Sequence, residues 1–291
     1  VAELEREAGP VAPLPVALYV VATPIGNLGD LSLRAREVLA RVDLVAAEDT
    51  RRTRTLMIAV GRPDAPIRRL DEHASEAQID ALAEELAAGR SVAVVSDAGT
   101  PSVSDPGPAI VRAARARGVR VVPLPGPSAV VTALSASGYA ASAFSFLGFL
   151  PRGGPQRTQA LARVQASEDA VVFFEAPPRV TETLQDLARM QPSRRAFVAR
   201  ELTKLHEEHL EGTLEELAAG AASREWLGEL TVVLAPFEAP AVAQSEAEVA
   251  AKVDAALARG DRPKDLAERL ALDTGWSKRD LYQLALTRRG R

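Results

Sequence analysis

Two rhythms of apolar residues alternate along the first half of the chain. Short aliphatic and β-branched runs, ALYVVA at 17–22, DLVAA at 43–47 and VAVV at 92–95, are too short for helices and read as buried strands. Between them the apolar positions move to helical spacing. Leu31, Ala35, Val38, Leu39 and Val42 share one face of a helix over 32–42, and Ile79, Leu82, Ala83 and Leu86 share one face of a helix over 76–88 that Gly89 stops. PDAPIRRL suggests a loop and a short strand. A further helix is predicted over 108–117, with Pro108 in its first turn and Gly118 just past its end, after which VRVVPL returns to a strand. Strands alternating with helices predict an α/β lobe over 16–140.

After Tyr139 the rhythm changes. FSFLGF reads as an aromatic-rich strand and LPRGGPQR as a flexible basic loop. Strands are predicted near 170–174, 196–199 and 230–234, a helix near 180–190, and Thr213 with Glu216 has the spacing of a capping box. The later strands follow one another closely, which favours a mixed sheet in a second α/β lobe over 141–237. Residues 1–15 read as a flexible N-terminal segment and the Pro/Ala-rich 238–245 as a linker. Amphipathic spacing then gives a helical domain over 246–291, in which Leu266, Ala267 and Leu270 face inward on a second helix and Ser277 caps a third. Helix, short glycine-containing turn, helix resembles a helix-turn-helix module.

Composition mainly excludes. The chain has 291 residues, 47% of them hydrophobic and 25% charged, enough for lobes with real cores. A net charge of -4 argues against wholesale polyanion binding but permits a local basic face. Such a face exists near the end, where Arg259 to Arg291 holds nine Lys/Arg against five Asp/Glu. It suits a phosphate backbone, or equally a solvated cap or dimerisation element. Absence of cysteine rules out thiolate nucleophiles, disulfides and cysteine-ligated metal sites. With no signal-like segment or long apolar run, the expectation is a cytoplasmic protein without membrane contact.

Three loops follow predicted strands and can converge at one sheet edge: TPIGNLGD, SDAGTPSVSDP and PLPGPSA. Their glycines and prolines suit backbone contacts to a small polar ligand, although neither GxGxxG nor GxxxxGK[ST] is present. His206 and His209 in LHEEH invite a metal hypothesis, but the spacing is not that of HExxH, and no metal is expected. His73 reads as a surface or capping histidine. Arg200, Glu201 and Lys204, following a strand, either reach a cleft or form a surface ion network.

Taken in order, LYVVATPIGNLGDLSLRAREVL, DLVAAEDTRRT, VAVVSDAGTPSVSDPG, VRVVPLPGPSAVVTALSASG, FLGFLPRG, VFFEAPPRV and ARELTKLHEE resemble blocks of the tetrapyrrole methylase family, over about residues 18–236. Where corrin and sirohaem methylases carry a first loop like GxGPGD, this chain has TPIGNLGD, which is similar to the RNA-modifying branch. The resemblance implies a two-lobed fold with S-adenosylmethionine bound in an interlobe cleft, a small C-terminal helical domain and a homodimer. It also implies methylation of a cytidine ribose 2′-hydroxyl in the decoding centre of small-subunit ribosomal RNA, within the 30S subunit. On this resemblance Pro24, Gly26, Asp97, Ala98, Gly99, Thr100, Val103, Ser104, Ser128, Ala129, Phe174 and Glu175 are donor contacts, with Asp97 and Asp105 as carboxylates for its amino group or ribose hydroxyls. A neutral hydroxyl is a weak nucleophile, so a proton acceptor is needed, and Glu48, Asp49 and Glu201 are the candidates. Arg200 and Lys204 are candidates to position phosphates or stabilise developing charge. Candidate RNA contacts are Arg51, Arg52, Arg54, Phe149, Arg152, Arg157, Lys278 and Arg279, of which Phe149 reads either as a ring that stacks an unpaired base or as a core residue. Methylation of a protein or tetrapyrrole by the same fold, and a noncatalytic RNA scaffold, are the competing readings.

Overall fold

The computed structural model describes residues 14–71, 73–101, 107–237, 246–274 and 276–289. The expectations for residues 1–13, for Val103, Ser104 and Asp105, and for the 238–245 linker lie outside the described residues.

The first sheet contains β1 (Leu18–Val21), β2 (Leu44–Ala47), β3 (Ile67–Arg69), β4 (Val92–Val95) and β5 (Val121–Leu124), all parallel, in the order β3-β2-β4-β1-β5. Continuous apolar runs suit this sheet because both faces are covered: β2 and β4 are buried at every residue. Val21, Leu39, Val45 and Met57 pack on one face, and Leu18, Leu44, Leu82 and Ile110 on the other. The helices are α1 (Leu33–Arg41), α2 (Thr50–Ala59), α3 (Glu76–Ala87), α4 (Gly107–Ala116) and α5 (Ala129–Ala136). Ser32 caps α1 by accepting the Ala35 N–H, and Ser75 forms a capping box with Gln78 on α3. The chain leaves β1 toward one edge of the sheet and β4 toward the other, although these strands are neighbours. That reversal opens a crevice beyond their carboxyl ends.

The second sheet contains β6 (Phe144–Phe149), β7 (Ala170–Glu175), β8 (Arg195–Arg200), β9 (Glu208–Thr213) and β10 (Leu230–Leu234), in the order β6-β7-β10-β8-β9. Only the β6–β7 pair is parallel, so the sheet is mixed. Its helices are α6 (Gly154–Ala166), α7 (Pro177–Met190) and α8 (Leu214–Ala221), the last capped reciprocally by Thr213 and Glu216. Phe173, Val180, Leu184 and Trp226 belong to one core of this lobe. A separate cluster joins Ile25 and Val130 to Val172, Phe197 and Leu202. It welds the two sheets into one compact unit.

The segment read as a flexible basic loop is a correction: α6 already begins at Gly154, and Arg157 lies inside it. A second compact unit spans Pro236–Arg291 with Ser167–Asp169. Within it α9 (Glu246–Ala258), α10 (Pro263–Thr274) and α11 (Lys278–Arg289) surround Val253, Leu266, Leu270, Leu281 and Ala285. Ser277 Oγ accepts the Asp280 N–H at 3.1 Å, capping α11. Among the described residues no helix is long and apolar enough to cross a membrane.

Candidate active site

Where β1 and β4 end, their loops are stitched together. Thr23 N–H donates to Gly99 O at 2.9 Å and Gly99 N–H returns to Thr23 O at 3.0 Å. The Thr23 hydroxyl donates to Ser96 O at 3.1 Å, and that of Ser96 to Gly99 O at 3.1 Å. Gly99 has φ +82, and a Cβ there would lie 3.4 Å from Ile25 Cγ2 and 3.6 Å from Pro127 O. Glycine serves both the left-handed backbone and the close approach of the three loops. The third loop is tied in by Thr100, whose hydroxyl donates to Pro127 O at 3.0 Å.

Over these loops lies a cleft with a cavity volume of about 460 Å³, within the roughly 300–1,000 Å³ usual for small-molecule sites. The first lobe contributes Ile25, Glu48, Arg52, the run Ser96–Thr100 and the start of α5 at Ser128–Val130. The second contributes Phe149, Phe174–Pro177, Leu202 and Gly228–Thr231. Apolar walls thus enclose loop backbone and the first turn of α5, whose leading N–H groups have no intrahelical acceptor.

Asp97 is anchored within the cleft: its Oδ1 accepts the Asp49 N–H at 2.9 Å, and its Oδ2 lies 3.6 Å from Arg52. Asp49 itself is turned to α2, where it accepts the Arg51 N–H at 2.8 Å as the N-cap. That backbone hydrogen bond holds its carboxyl below the usual aspartate range. Asp49 does not line the cavity, whereas Glu48 does. Glu175 is 1% exposed, and Thr183, Arg179 and the Ala176 N–H occupy its oxygens. Its carboxylate pins the start of α7 beside the cleft.

The Arg200–Lys204 segment forms an ion network. Arg200 pairs with Glu208 at 3.0 Å, which also binds Arg224. Lys204 Nζ reaches Glu201 at 2.7 Å and Glu229 at 3.1 Å, and Glu201 Oε1 accepts the Glu229 N–H at 2.9 Å. The hydrogen bond from Lys204 holds the Glu201 carboxyl below its ordinary range. Burial opposes the Lys204 charge, yet these carboxylates leave its pKa raised. None of Arg200, Glu201 and Lys204 lines the cavity. They shape its rim instead: a Cβ at Gly228, with φ +81, would fall 2.4 Å from Glu201 Cδ, and one at Gly26 would fall 2.4 Å from Lys204 Cγ. Gly26 is therefore a close-approach point between the first loop and this turn, and neither it nor Pro24 lines the cavity.

The candidate RNA contacts separate. Arg51 is exposed and Arg52 is exposed at the cavity, while Arg54 donates to the carbonyls of Pro63 and Ala65 and braces the loop before β3. Phe149 and Arg152 are exposed. Arg157 corrects the expectation, being 8% exposed, 2.7 Å from Asp186 and bonded to Thr183. A side chain so buried and neutralised offers nothing to a phosphate. Lys278 and Arg279 are exposed on α11. His209 pairs with Glu207 at 3.0 Å beside the Phe197 ring, and among the described residues no group of three or more potential ligands is placed for a metal. Sequence reasoning missed Ile25, Ala176, Leu202 and Gly228–Thr231 as cleft walls; the glycine just before β10 was the available signal.

Two linked α/β lobes with a cleft floored by three strand-end loops define a methylase architecture, and the chain belongs to the tetrapyrrole methylase family. The family described as Tetrapyrrole (Corrin/Porphyrin) Methylases matches residues 17–218. The chain is 39% identical to ribosomal RNA small subunit methyltransferase I of Halalkalibacterium halodurans, over 92% of this chain and 93% of that protein. A Thermotoga maritima protein of the same name is 42% identical over 76% of this chain and 99% of its own length. Among solved structures, uroporphyrin-III C-methyl transferase from Thermus thermophilus complexed with S-adenyl homocysteine aligns with a TM-score of 0.53 at 21% identity, covering 75% of this chain and 97% of that one.

Proposed function

We propose that the protein uses S-adenosylmethionine to methylate the ribose 2′-hydroxyl of a cytidine in the decoding centre of small-subunit ribosomal RNA. The acceptor in this reading is the assembled 30S subunit, and the enzyme is a cytoplasmic homodimer. Similarity across more than nine-tenths of the chain to a ribosomal RNA small subunit methyltransferase I is the observation that carries it.

The cleft suits such a donor. A flat adenine ring asks for apolar walls, which Ile25, Leu202 and Phe174 supply, and the polar tail asks for backbone groups, which Asp97–Thr100 and the start of α5 supply. Gly99 keeps that floor open to close approach. The bound donor provides a methyl group on a sulfonium, electrophilic enough for transfer to a hydroxyl oxygen. Asp97, fixed by the Asp49 N–H, accepts hydrogen bonds from the donor's amino or hydroxyl groups. Glu48 is the carboxylate that takes the acceptor's proton, because it lines the cavity and Asp49 and Glu201 do not. Arg52 at the cavity edge meets the acceptor's phosphate.

The test supplies labelled S-adenosylmethionine with 30S subunits, protein acceptors and tetrapyrroles in parallel. Label on a ribose oxygen of 30S RNA is expected; label confined to protein or tetrapyrrole would overturn the reading. Replacing Glu48 by Gln should lower single-turnover methylation by about 100-fold or more, the usual scale of general-base loss, with donor affinity preserved.

A further inference from the structure

The β6 strand carries an irregularity that re-aims one aromatic ring. Phe146 pairs with Val172 and Phe149 with Phe174, so three steps along β6 match two along β7. Gly148, inside the bulge, has φ +63, and a Cβ there would meet nothing within 4 Å, so glycine serves the conformation rather than the space. In a regular strand Phe146 and Phe149 would face opposite sides. Here both rings meet Phe174, at centroid distances of 5.0 Å for Phe146 and 5.5 Å for Phe149. The extra residue has brought them to the same neighbour.

The three rings form a series from the core to the cleft. Phe146 and Phe174 pack against the interlobe cluster, Phe174 also reaches the cavity, and Phe149, 60% exposed, lines it beside Phe174. An aromatic side chain backed by Phe174 but open to water on a ligand cavity is poorly explained by core packing. Arg52, exposed and 3.6 Å from Asp97, lines the same cavity from the other lobe, so a cation and an aromatic ring both border it.

Resting on the RNA reading above, we propose that Phe149 is the stacking platform for the acceptor nucleobase, drawn out of its stack as the ribose enters the cleft. Single-stranded RNA is recognised by stacking unpaired bases on aromatic side chains, with cations holding the backbone. The bulge supplies the ring's orientation, and Phe174 restricts its motion.

The experiment compares Phe149→Leu, Phe149→Tyr and Phe149→Trp in the full-length protein, with 30S subunits as acceptor. The Leu variant should lose about tenfold or more in kcat/KM for 30S subunits, on the scale of one lost base–aromatic stack. Tyr and Trp should stay within about threefold of wild type, because each keeps a π-face. Donor dissociation constants from calorimetry, thermal midpoints and sedimentation should be unchanged throughout. The proposal is overturned if Leu retains full kcat/KM, if Tyr and Trp fail as badly as Leu, or if the loss tracks donor affinity or a change in oligomeric state. A wild-type protein that leaves 30S RNA unmethylated defeats the RNA reading itself, a result distinct from a methylating wild type matched by its Leu variant.

Discussion

Glu201 shows how a residue can stand near a site without acting in its chemistry. Its backbone has φ +52, its carboxylate binds Lys204 Nζ and the Glu229 N–H, and Gly228 leaves the space that its side chain fills. Gly228→Ala should therefore destabilise the fold by about 2 kcal/mol or more, through a disfavoured positive φ and a displaced Glu201, measured by denaturant unfolding. The lowered pKa of Glu201 sets a sign as well. A carboxyl more acidic folded than unfolded stabilises above its unfolded value, about 4.3, and that contribution disappears as pH falls through the folded value. Glu201→Gln should flatten the acid limb of the stability profile. If instead methylation collapsed with unchanged stability, Glu201 would return as a candidate base.

At the scale of elements, local signals that agree with tertiary demand were legible. Uninterrupted aliphatic runs marked β1, β2 and β4 because both sheet faces are covered, and the Thr213–Glu216 spacing marked the start of α8. Thr213→Ala should cost about 1 kcal/mol, the usual worth of a lost N-cap, read from unfolding midpoints. Where partners decide, the sequence was opaque. TRRTRTLMIA hides α2 behind its arginines, and EHLEGT on β9 is an edge strand with charged residues. The basic, glycine-rich PRGGPQR disguised the start of α6, because the partner that buries Arg157 is Asp186, far along the chain on α7. The three loops under the cleft were readable from their position after strands, but the opposite wall was not, because it depends on packing of the second lobe. Arg157→Ala should destabilise by about 3 kcal/mol, as expected when one member of a buried pair is removed, and leave the RNA affinity of the folded fraction unchanged. A selective loss of RNA affinity at full stability would restore Arg157 to the RNA surface.

For the whole molecule, the question is what the helical unit adds to a catalytic body that already owns the cleft. Among the described residues, those lining the cavity lie between Ile25 and Thr231, and α9–α11 have a core of their own. The Thermotoga maritima relative aligns over 99% of its length while matching 76% of this chain, so that relative is the shorter of the two. Exposed Lys278, Arg279 and Tyr282 give α11 a surface suited to backbone phosphates rather than to donor chemistry. A chain ending at Phe237 should consequently fold and bind S-adenosylmethionine with unchanged affinity, while its KM for 30S subunits rises several-fold and depends less steeply on salt. Removing two cations that each neutralise a phosphate would lower the log–log salt slope by roughly 1.4–1.8. Calorimetry for the donor and methylation kinetics across salt concentrations separate these effects. Unchanged KM and salt slope would mean that the helices serve assembly or stability, and a loss of donor binding would mean that the catalytic body needs them to hold its cleft.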